Sequence, residues 1–508
     1  MDITVSRRAV LGTGVGLSAG LVVGAPAGAA APAAAGTNAA GATPEAVAIV
    51  GCTVIDVTGG PPRQDMTVLA RGDRITALGP SRGVRVPTGA AVVDGRGRYV
   101  IPGLTDMHVH SSGVDTLDPP LYVVNGVTTV REMSGYPTLH EWRQRVTDGT
   151  LLGPRSVIAS PLIDGSPSLW TGLGAPYVEV ADAAQARAAV RQVAADGADF
   201  VKVYSRLSRE SFAAIADESA RLGLEFAGHC PDDVPVTVAA EHGQRSFEHV
   251  FTTWYATSRH EDEIRRELSR LTVEAGDYNG WLHRVHPLEL AAARGYDPRR
   301  AARVFARLRA ADAHQTPTLA MHRVLDLPGS VDQDDPRLRY IPAEVRAVWD
   351  FAMREIYLDG RTPREQAEHQ ELFGHRGRFV GALHRAGVPL LAGTDTGTSY
   401  VYPGFSLHDE LELLVRAGLP PLRALQAATR DPARFLGLGS GTVRQGAAAD
   451  LVVLDADPLA DIRNTRHIHA VVVRGQLITA ERRDAILDAV AAAAGTATPV
   501  PVRAACRC

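Results

Sequence analysis

A single lysine is the residue of this sequence with the most unusual chemical capacity. The 508-residue chain contains 53 lysine and arginine residues, and Lys202 is the only lysine. It lies in an apolar segment, residues 198–204, that predicts a buried strand, where an ammonium group is costly. A lysine can lose its proton there, whereas an arginine cannot, and the neutral amine can react with carbon dioxide to form a carbamate that bridges two metal ions. The alternative is a lysine that survived an arginine-rich composition by chance and extends to solvent.

Two histidines follow another predicted strand with the spacing of metal ligands. The apolar residues 99–104 are followed by His108 and His110. Alternate side chains of a strand share a face, so the two imidazoles point the same way, about 6.6 Å apart by strand rise. Two neutral imidazoles at this spacing can reach one metal ion. Taken alone, the pair is equally typical of surface histidines near a turn.

Three further strand-like segments each end in a group that can bind metal. These groups are His229, His249 and Asp395. In a parallel α/β barrel the carboxyl ends of the strands carry the active-site residues. A lone histidine is more often structural, so the prediction of a metal site depends on the whole set of six residues.

These residues and their surroundings resemble the metal-dependent amidohydrolase superfamily, and in particular its imidazolonepropionase-like and prolidase-type branch. The family pattern of HxH, lysine, histidine, histidine and aspartate falls on His108, His110, Lys202, His229, His249 and Asp395. The segments 93–110, 428–438 and 446–454 also resemble the first and last parts of the family's barrel. The resemblance covers roughly residues 45 to 480.

The resemblance implies an α/β fold, a (β/α)8 TIM-like barrel with a small β-sandwich built from both chain ends. Short apolar runs separated by glycine-containing turns support strands near both ends. Ser208 and Gly223 bracket a predicted helix between two strands, which is the repeating unit of such a barrel. The expected divisions are a signal peptide (1–36), the two sandwich parts (45–100 and 441–482), the barrel (101–440) and an alanine-rich tail (483–508).

The resemblance also implies two divalent metal ions and assigns each ligand a role. The first ion is expected on His108, His110 and Asp395, the second on His229 and His249, and carboxylated Lys202 bridges them together with a water or hydroxide. Imidazole and oxygen donors favour zinc, with manganese, iron or cobalt as alternatives. Without the carbamate, a site with one ion is the alternative. Asp395 is the expected proton shuttle between the attacking water and the leaving group.

Other polar residues are candidates for contact with the substrate. Tyr204 follows the lysine by two residues and therefore shares its strand face, where it could donate to a developing oxyanion. His322 ends a candidate late barrel strand, residues 317–322, and could contact substrate. Arg131 and Glu132 end the predicted second strand and are expected near the pocket. A packing role is the alternative for each. Two long helical segments, residues 255–313 and 327–376, are expected to form lids or pocket walls.

The predicted function is hydrolysis of a small molecule at an amide-type C–N bond by a metal-bridging hydroxide. A dipeptide, an N-acyl amino acid or a cyclic amide would serve as substrate. An esterase or lactonase with the same metal centre is an alternative, and a non-catalytic exported binding protein is a third hypothesis. The sequence leaves the substrate, the metal and the number of ions open.

Composition and the chain ends bear on partners and location. The net charge of −4 and the absence of a basic stripe argue against nucleic-acid binding. Residues 6–11 resemble a twin-arginine export signal and precede a run of small residues, so the protein is expected to be exported or secreted without a stable membrane anchor. Cys506 and Cys508 could pair with each other, with a second chain or with nothing, since their spacing does not decide between these. A homo-oligomer is compatible with the sequence.

Overall fold

The computed structural model describes residues 45–496. The predicted signal peptide and the cysteines Cys506 and Cys508 lie outside this range. The strands are β1 Ala46–Val54, β2 Arg63–Arg71, β3 Arg74–Pro80, β4 Ala91–Asp94, β5 Tyr99–Pro102, β6 Leu104–Val109, β7 Val127–Glu132, β8 Arg155–Gly165, β9 Tyr177–Val180, β10 Phe200–Val203, β11 Phe226–Gly228, β12 Ser246–Glu248, β13 His314–Thr316, β14 Leu451–Leu454, β15 Ile468–Val473 and β16 Gln476–Ile478.

Sixteen α-helices accompany these strands within residues 45–496. They are α1 Asp118–Val124, α2 Pro137–Thr147, α3 Ala183–Ala195, α4 Arg209–Leu222, α5 Val236–Glu241, α6 Phe251–Thr257, α7 Glu261–Arg270, α8 Tyr278–Arg294, α9 Pro298–Ala310, α10 Leu319–Asp326, α11 Ala343–Phe351, α12 Pro363–Arg385, α13 Phe405–Arg416, α14 Pro421–Ala427, α15 Arg430–Phe435 and α16 Ala480–Thr496. In this part of the chain, no helix has both the length and the apolar character needed to cross a membrane.

Seven parallel strands form a nearly closed barrel. Their order is β13-β12-β11-β10-β8-β7-β6, and β9 pairs with β8 outside this path. Residues 390–396 occupy the eighth position, because Leu390 pairs with Gln315 on one side and Thr396 pairs with Val109 on the other. This segment is not a regular strand. Backbone bonds such as that from the Asp395 N–H to the His108 oxygen at 2.8 Å hold it to β6, and the side chain of Asp106 also accepts the backbone N–H of Thr394 at 3.0 Å.

The helix between β10 and β11 begins and ends where the sequence predicts. The Ser208 hydroxyl accepts the backbone N–H of Ser211 at 3.0 Å and caps the first turn of α4. Gly223 ends the helix with a φ of +66°, a left-handed conformation that glycine adopts at no steric cost. Buried parallel strands alternating with such helices are the grammar of a (β/α) barrel, and the predicted fold class is confirmed.

A second eight-stranded sheet is built from both ends of the described chain. Its order is β16-β15-β14-β5-β1-β2-β3, with β4 pairing with β1. Apolar side chains from its two halves, such as Ile49, Val68, Leu451 and Val472, form one buried cluster, which gives the sheet its sandwich character. Cys52 is a free, buried thiol within this cluster.

The strand predicted at residues 317–322 is wrong. The barrel strand is β13, which ends at Thr316, and the chain then turns at Thr318, whose φ is +47°. Helix α10 begins at Leu319, so His322 is a helical residue. The apolar run that suggested a strand is the buried face of this short helix.

Candidate metal centre

The structure brings the six predicted ligands together at the carboxyl end of the barrel. His108 and Lys202 lie on β6 and β10, the other three histidines follow the ends of β6, β11 and β12, and Asp395 lies in the segment that closes the barrel. His249 and Asp395 have φ values of +65° and +61°, a left-handed conformation that costs free energy for residues with a side chain. Strained backbone at two of the six positions is typical of a functional site.

Three of the donors form an equilateral triangle. The Nε2 atoms of His108 and His110 are 3.3 Å apart, and each lies 3.3 Å from Oδ1 of Asp395. For ligand bonds of about 2.0–2.1 Å, two donors of a tetrahedral site lie about 3.3–3.4 Å apart. The triangle therefore fits one face of the ligand shell of a single divalent ion, with two imidazoles and one carboxylate as donors.

The remaining histidines lie beside this triangle. The ring centroid of His249 is 4.8 Å from those of both His108 and His229. The Nδ1 atom of His229 bonds to the Ser205 hydroxyl at 2.8 Å, and the Nδ1 atom of His249 bonds to the Thr318 hydroxyl at 2.8 Å. These bonds orient each ring and leave its Nε2 atom available to a metal ion.

Lys202 is almost completely buried and lines the cavity in front of the histidines. Burial lowers the pKa of its amine to about 8, although Glu248 and Asp395 act in the opposite direction. A substantial fraction of the amine is therefore neutral in weakly basic solution. The side chain of Lys202 passes close to Gly228. Any larger residue at position 228 would place its Cβ atom 2.9 Å from Lys202 Cδ and 2.3 Å from the backbone oxygen of Val203.

The histidines are held in the form that binds metal. Burial lowers the pKa of His108 and His229 well below the usual value; Lys202 adds to this effect, whereas Asp395 opposes it at His108 and Glu248 opposes it at His229. Burial also lowers the pKa of His249 to about 4. All three imidazoles are therefore neutral at pH 7 and have a lone pair to donate.

The sequence analysis missed Glu248, which supports the triangle from behind. Its Oε2 atom lies 2.7 Å from Nδ1 of His108, and its Oε1 atom accepts from Nη2 of Arg131 at 2.9 Å and from the Ser246 hydroxyl at 2.6 Å. Burial alone would raise the pKa of Glu248, but Arg131 and Lys202 hold it below the usual value. A carboxylate behind a histidine ligand fixes the ring orientation and increases its basicity.

Arg131 and Glu132 do not line the cavity in front of the histidines, contrary to prediction. Arg131 is fully buried and donates to the backbone oxygen of Met107 at 2.7 Å in addition to Glu248. Glu132 accepts from the hydroxyl of Ser111 at 2.6 Å. Both are buried beside β6 and support the segment that carries the two histidines of the HxH pair.

Tyr204 and His322 both line the cavity. The Tyr204 ring stacks on His229 with centroids 4.0 Å apart, and its hydroxyl is 3.3 Å from that of Tyr278. His322 Nε2 lies 3.2 Å from the backbone oxygen of His249. Each therefore contacts a predicted ligand residue. A role for either residue in the chemical step stays a prediction.

The inserted helices form the outer wall of the cavity. Aromatic side chains from α8 and from the segment before α12, including Tyr278, Trp281 and Tyr357, face the histidines. The guanidinium of Arg361 also lines the cavity and donates to the backbone oxygens of Leu325 at 2.7 Å and Tyr357 at 3.1 Å. Its third acceptor is the neutral Gln366 side chain at 3.2 Å.

Arg361 is thus a fixed cation whose charge is not neutralised by a contact. Within residues 45–496 it has no carboxylate within 4.0 Å, the limit for a salt bridge. Burial lowers the pKa of its guanidinium, and Asp326 and Glu365 act in the opposite direction from a greater distance. A positioned, partly buried guanidinium of this kind is suited to binding an anionic group of a ligand.

Comparison with known proteins identifies the family. Residues 99–478 match the amidohydrolase family. An uncharacterized protein of Mycobacterium tuberculosis is 34% identical over 117 residues, which are 23% of this chain and 30% of that protein. The ochratoxinase of Aspergillus niger is 35% identical over 118 residues, 22% of this chain and 23% of its own length. The chain thus spans less than a third of the length of the curated relatives it matches.

The similarity to solved structures is more extensive. A putative prolidase from Bifidobacterium longum is 26% identical, with a TM-score of 0.62 over 88% of this chain and 100% of that one. The structure of the Aspergillus niger ochratoxinase, at 18% identity, shares the fold with a TM-score of 0.60 over 86% of this chain and 96% of its own. From the extent of the family match and the barrel architecture, we conclude that this chain belongs to the amidohydrolase family.

Proposed function

We propose that this protein is a metal-dependent hydrolase that cleaves an amide-type C–N bond in a small molecule. The observation that carries the proposal is the 3.3 Å triangle of two imidazole nitrogens and one carboxylate oxygen. Membership of the amidohydrolase family supports the same reaction class. The triangle faces a cavity whose walls combine aromatic side chains with histidines and charged groups, an arrangement found in enzyme pockets.

The chain provides donors for two divalent ions. His108, His110 and Asp395 would hold one ion, and His229 and His249 would contribute to the second. Lys202, carboxylated on its buried amine, would bridge them. Zinc suits this set of nitrogen and oxygen donors, and manganese, iron and cobalt also bind such sites. When bound, the ions supply Lewis-acid polarisation of a carbonyl group and lower the pKa of water in the site.

The remaining steps fall to side chains in contact with the cavity. Asp395 has a second carboxylate oxygen, Oδ2, which accepts from the Thr398 hydroxyl at 3.4 Å and lies 4.0 Å from Nδ1 of His249. This oxygen can accept a proton from water and deliver it to the leaving nitrogen. The Tyr204 hydroxyl can donate a hydrogen bond to the oxygen of the substrate carbonyl, because burial holds the pKa of this phenol well above its usual value and keeps it protonated.

Arg361 favours substrates that carry a carboxylate. A dipeptide or an N-acyl amino acid has a free carboxylate on its leaving group, and a guanidinium can bind it through two parallel hydrogen bonds. The similarity to a solved structure described as a putative prolidase supports a substrate of this type. We place the leaving amino acid in the cavity that Arg361 lines.

The proposal is tested by comparing metal-loaded and chelated protein on a panel of amides and esters. The panel contains dipeptides, N-acyl amino acids, cyclic amides, simple esters and lactones, and the metal content is measured for each preparation. We expect turnover of amides with a free carboxylate, loss of turnover after chelation, and recovery on addition of Zn²⁺ or Mn²⁺. Hydrolysis of esters and lactones without any amide would contradict the reaction class. Undiminished activity in protein shown to be free of metal would contradict the mechanism.

A further inference from the structure

One face of helix α8 forms a wall of the cavity in front of the metal centre. Tyr278, Trp281, Val285, His286 and Glu289 all line the cavity, and their spacing along the chain places them on one side of the helix. This face is aromatic and apolar in its first two turns and polar towards its end. A substrate that occupies the cavity therefore contacts both aromatic rings and polar groups of α8.

The aromatic part of the wall is centred on Tyr278. The centroid of its ring lies 5.1 Å from that of Trp170, 5.5 Å from that of Trp281 and 6.3 Å from that of Tyr357. All four residues line the cavity. Aromatic groups gain additional free energy from contact with other aromatic rings beyond the apolar area that they bury. This part of the wall therefore favours a flat aromatic group over an aliphatic one.

The polar part of the same face carries an imidazole with one unused nitrogen. Nε2 of His286 lies 3.2 Å from Oε2 of Glu368, and hydrogen bonds from Arg364 and His286 hold the pKa of Glu368 below its usual value. An ionised carboxylate can only accept, so Nε2 carries the proton, and Nδ1 of the neutral ring has a free lone pair. Nδ1 is buried and has no hydrogen bond to any residue of the range 45–496.

The His286 ring is held in place beside the cavity. It stacks on the ring of His369 with centroids 4.3 Å apart and an angle of 23° between the planes, and only 5% of the residue is exposed. Glu368 does not line the cavity, so the Nε2 edge of the ring is turned away from it, towards α12. A buried acceptor without a partner costs free energy, which a donor on a bound substrate would recover.

The carboxylates near His286 already have partners. Asp326 accepts from Nε of Arg376 at 2.7 Å, and Glu289 accepts from Nη2 of the same arginine at 3.3 Å. Glu365 accepts the backbone N–H of the residue that caps α12 at 2.8 Å. These contacts leave Nδ1 of His286 as an acceptor that the fold itself does not use.

Two buried donors of the cavity wall also lack a hydrogen bond. They are Nε1 of Trp170 and Nη1 of Arg376. Neither can accept from a substrate, and the Arg376 guanidinium carbon also lies 5.6 Å from the centre of the Phe251 ring, within reach of a cation–π interaction. Outside the metal centre, His286 therefore provides the unused acceptor among the buried atoms of this wall in the described part of the chain.

Arg361 lies at the same end of the cavity as His286. Burial lowers the pKa of His369, Arg361 adds to this effect and Asp326 opposes it, so the guanidinium is close to the ring on which His286 stacks. Arg361 also donates to the backbone oxygen of Tyr357 at 3.1 Å. The guanidinium, the aromatic rings and Nδ1 of His286 thus surround one space.

We propose that the leaving amino acid of the substrate has an aromatic side chain that ends in a hydrogen-bond donor, as in tyrosine. The inference rests on the proposed function, which places the leaving amino acid in the cavity that Arg361 lines. Arg361 binds the carboxylate, the aromatic ring lies against Tyr278 and Trp281, and the phenol O–H donates to Nδ1 of His286. The substrate is then an amide of a tyrosine-like residue with a free carboxylate.

The test compares leaving residues that differ by one group. The substrates share one acyl group and carry tyrosine, O-methyltyrosine, phenylalanine or leucine as the leaving amino acid. Phenylalanine lacks the donor, O-methyltyrosine has the oxygen without the O–H, and leucine lacks the ring. Each substrate is assayed with the metal-loaded full chain.

Two variants remove or retain the acceptor. His286→Phe keeps a flat ring beside His369 but removes Nδ1, whereas His286→Asn retains an acceptor oxygen on a shorter side chain. The control is His375→Phe on α12. His375 is half-buried, lies 3.5 Å from Glu371 and does not line the cavity.

We expect the wild-type kcat/KM to be about fivefold higher for tyrosine than for phenylalanine or O-methyltyrosine, the effect of one neutral hydrogen bond. Leucine should be a poorer leaving residue than phenylalanine. His286→Phe should abolish the tyrosine-to-phenylalanine ratio, mainly through KM, and His286→Asn should retain part of it. His375→Phe should leave the ratio unchanged.

Equal kcat/KM values for tyrosine and phenylalanine in the wild type overturn the subsite alone, and this comparison does not depend on the folding of any variant. A ratio that His286→Phe retains in full overturns the role of His286. If the wild type hydrolyses none of the amides, the proposed function fails, and calorimetric titration with N-acetyltyrosine and N-acetylphenylalanine then tests the subsite. Tighter binding of the tyrosine derivative, lost in His286→Phe, supports it, and equal affinities overturn it.

Discussion

Different interactions hold the two groups of predicted ligands. One group comes from the first and last positions of the barrel, and the other comes from its middle strands. His108, His110 and Asp395 have nitrogen and oxygen atoms 3.3 Å apart, and the buried pair of Glu248 and Arg131 supports them from behind. The middle strands contribute the lysine and the other two histidines. There the ring centroids of the two histidines are 4.8 Å apart, and each ring is hydrogen-bonded to a neutral hydroxyl, of Ser205 or Thr318, rather than to a charged group.

This difference indicates how the two parts bind metal. The first group is already arranged as a ligand set by charged, buried interactions. In the proposed two-ion site, the second group would lack an anionic donor of its own until Lys202 is carboxylated, so its affinity would depend on a reaction with carbon dioxide. We therefore expect the first ion to bind tightly without bicarbonate and the second to bind only with it.

The largest effect is expected from Asp395→Asn. The substitution preserves the shape of the side chain but removes the anionic donor of the triangle and the proton acceptor. We expect kcat/KM to fall by about 10³-fold, together with loss of the first ion. Steady-state kinetics and metal analysis measure both quantities. Activity within tenfold of the wild type would show that the triangle is not the principal half of the centre.

Lys202→Arg is expected to affect the second ion selectively. A guanidinium cannot form the carbamate, so the variant should bind one ion per chain while the wild type binds two. Activity should fall by about 100-fold or more, because the effect of losing a ligand exceeds that of losing a partner behind a ligand. Protein prepared in ¹³C-bicarbonate should show a carbamate signal by NMR only for the wild type. A variant with two ions would contradict the bridging role.

Glu248→Gln is expected to affect the first ion more than the second. Loss of the negative charge behind His108 should weaken binding of the first ion by about 10- to 100-fold, with a smaller change for the second. Titration with a competing chelator measures both affinities. The matched control is Glu410→Gln, because Glu410 is also buried but accepts from the backbone N–H of Ala320 and contacts none of the six donors. Equal effects of the two variants would argue against a specific role for Glu248.

The smallest effect is expected from Ser205→Ala. The hydroxyl orients His229 through a single neutral hydrogen bond, which contributes about 1 kcal/mol, equivalent to roughly fivefold in affinity. The second ion should be weakened by this amount and the first should be unaffected. Ser219→Ala is the control, because Ser219 is buried on α4 and its hydroxyl has no partner. If the first ion were weakened more than the second, the two halves would not be independent.

The sequence predicted those site residues whose position in the fold follows from the local pattern of apolar residues. His229 and Asp395 follow apolar runs, and the ends of such runs meet at one edge of a parallel barrel. Glu248 escaped notice because it stands next to a predicted ligand, and its contact with His108 joins residues 140 positions apart. One sequence feature does indicate it. Ser246 and Glu248 are two residues apart in a strand, so their side chains share the face that points into the barrel.

Two other predictions failed for reasons of backbone and packing. His322 was assigned to a strand, but the left-handed turn at Thr318 starts a helix, and a short apolar run cannot distinguish the two. Arg131 was expected at the pocket, and it instead pairs with a glutamate of β12 across the barrel interior.

Under the proposed function, the closing segment of the barrel would couple folding to metal uptake. Asp395 belongs to this segment, and the Asp106–Thr394 contact that fixes it joins residues 288 positions apart. A nascent chain therefore possesses both imidazoles of the HxH pair long before it acquires the carboxylate that completes their coordination. Tight retention of the first ion would consequently mark only those molecules whose barrel has been sealed, and loading would act as a late quality checkpoint in biogenesis.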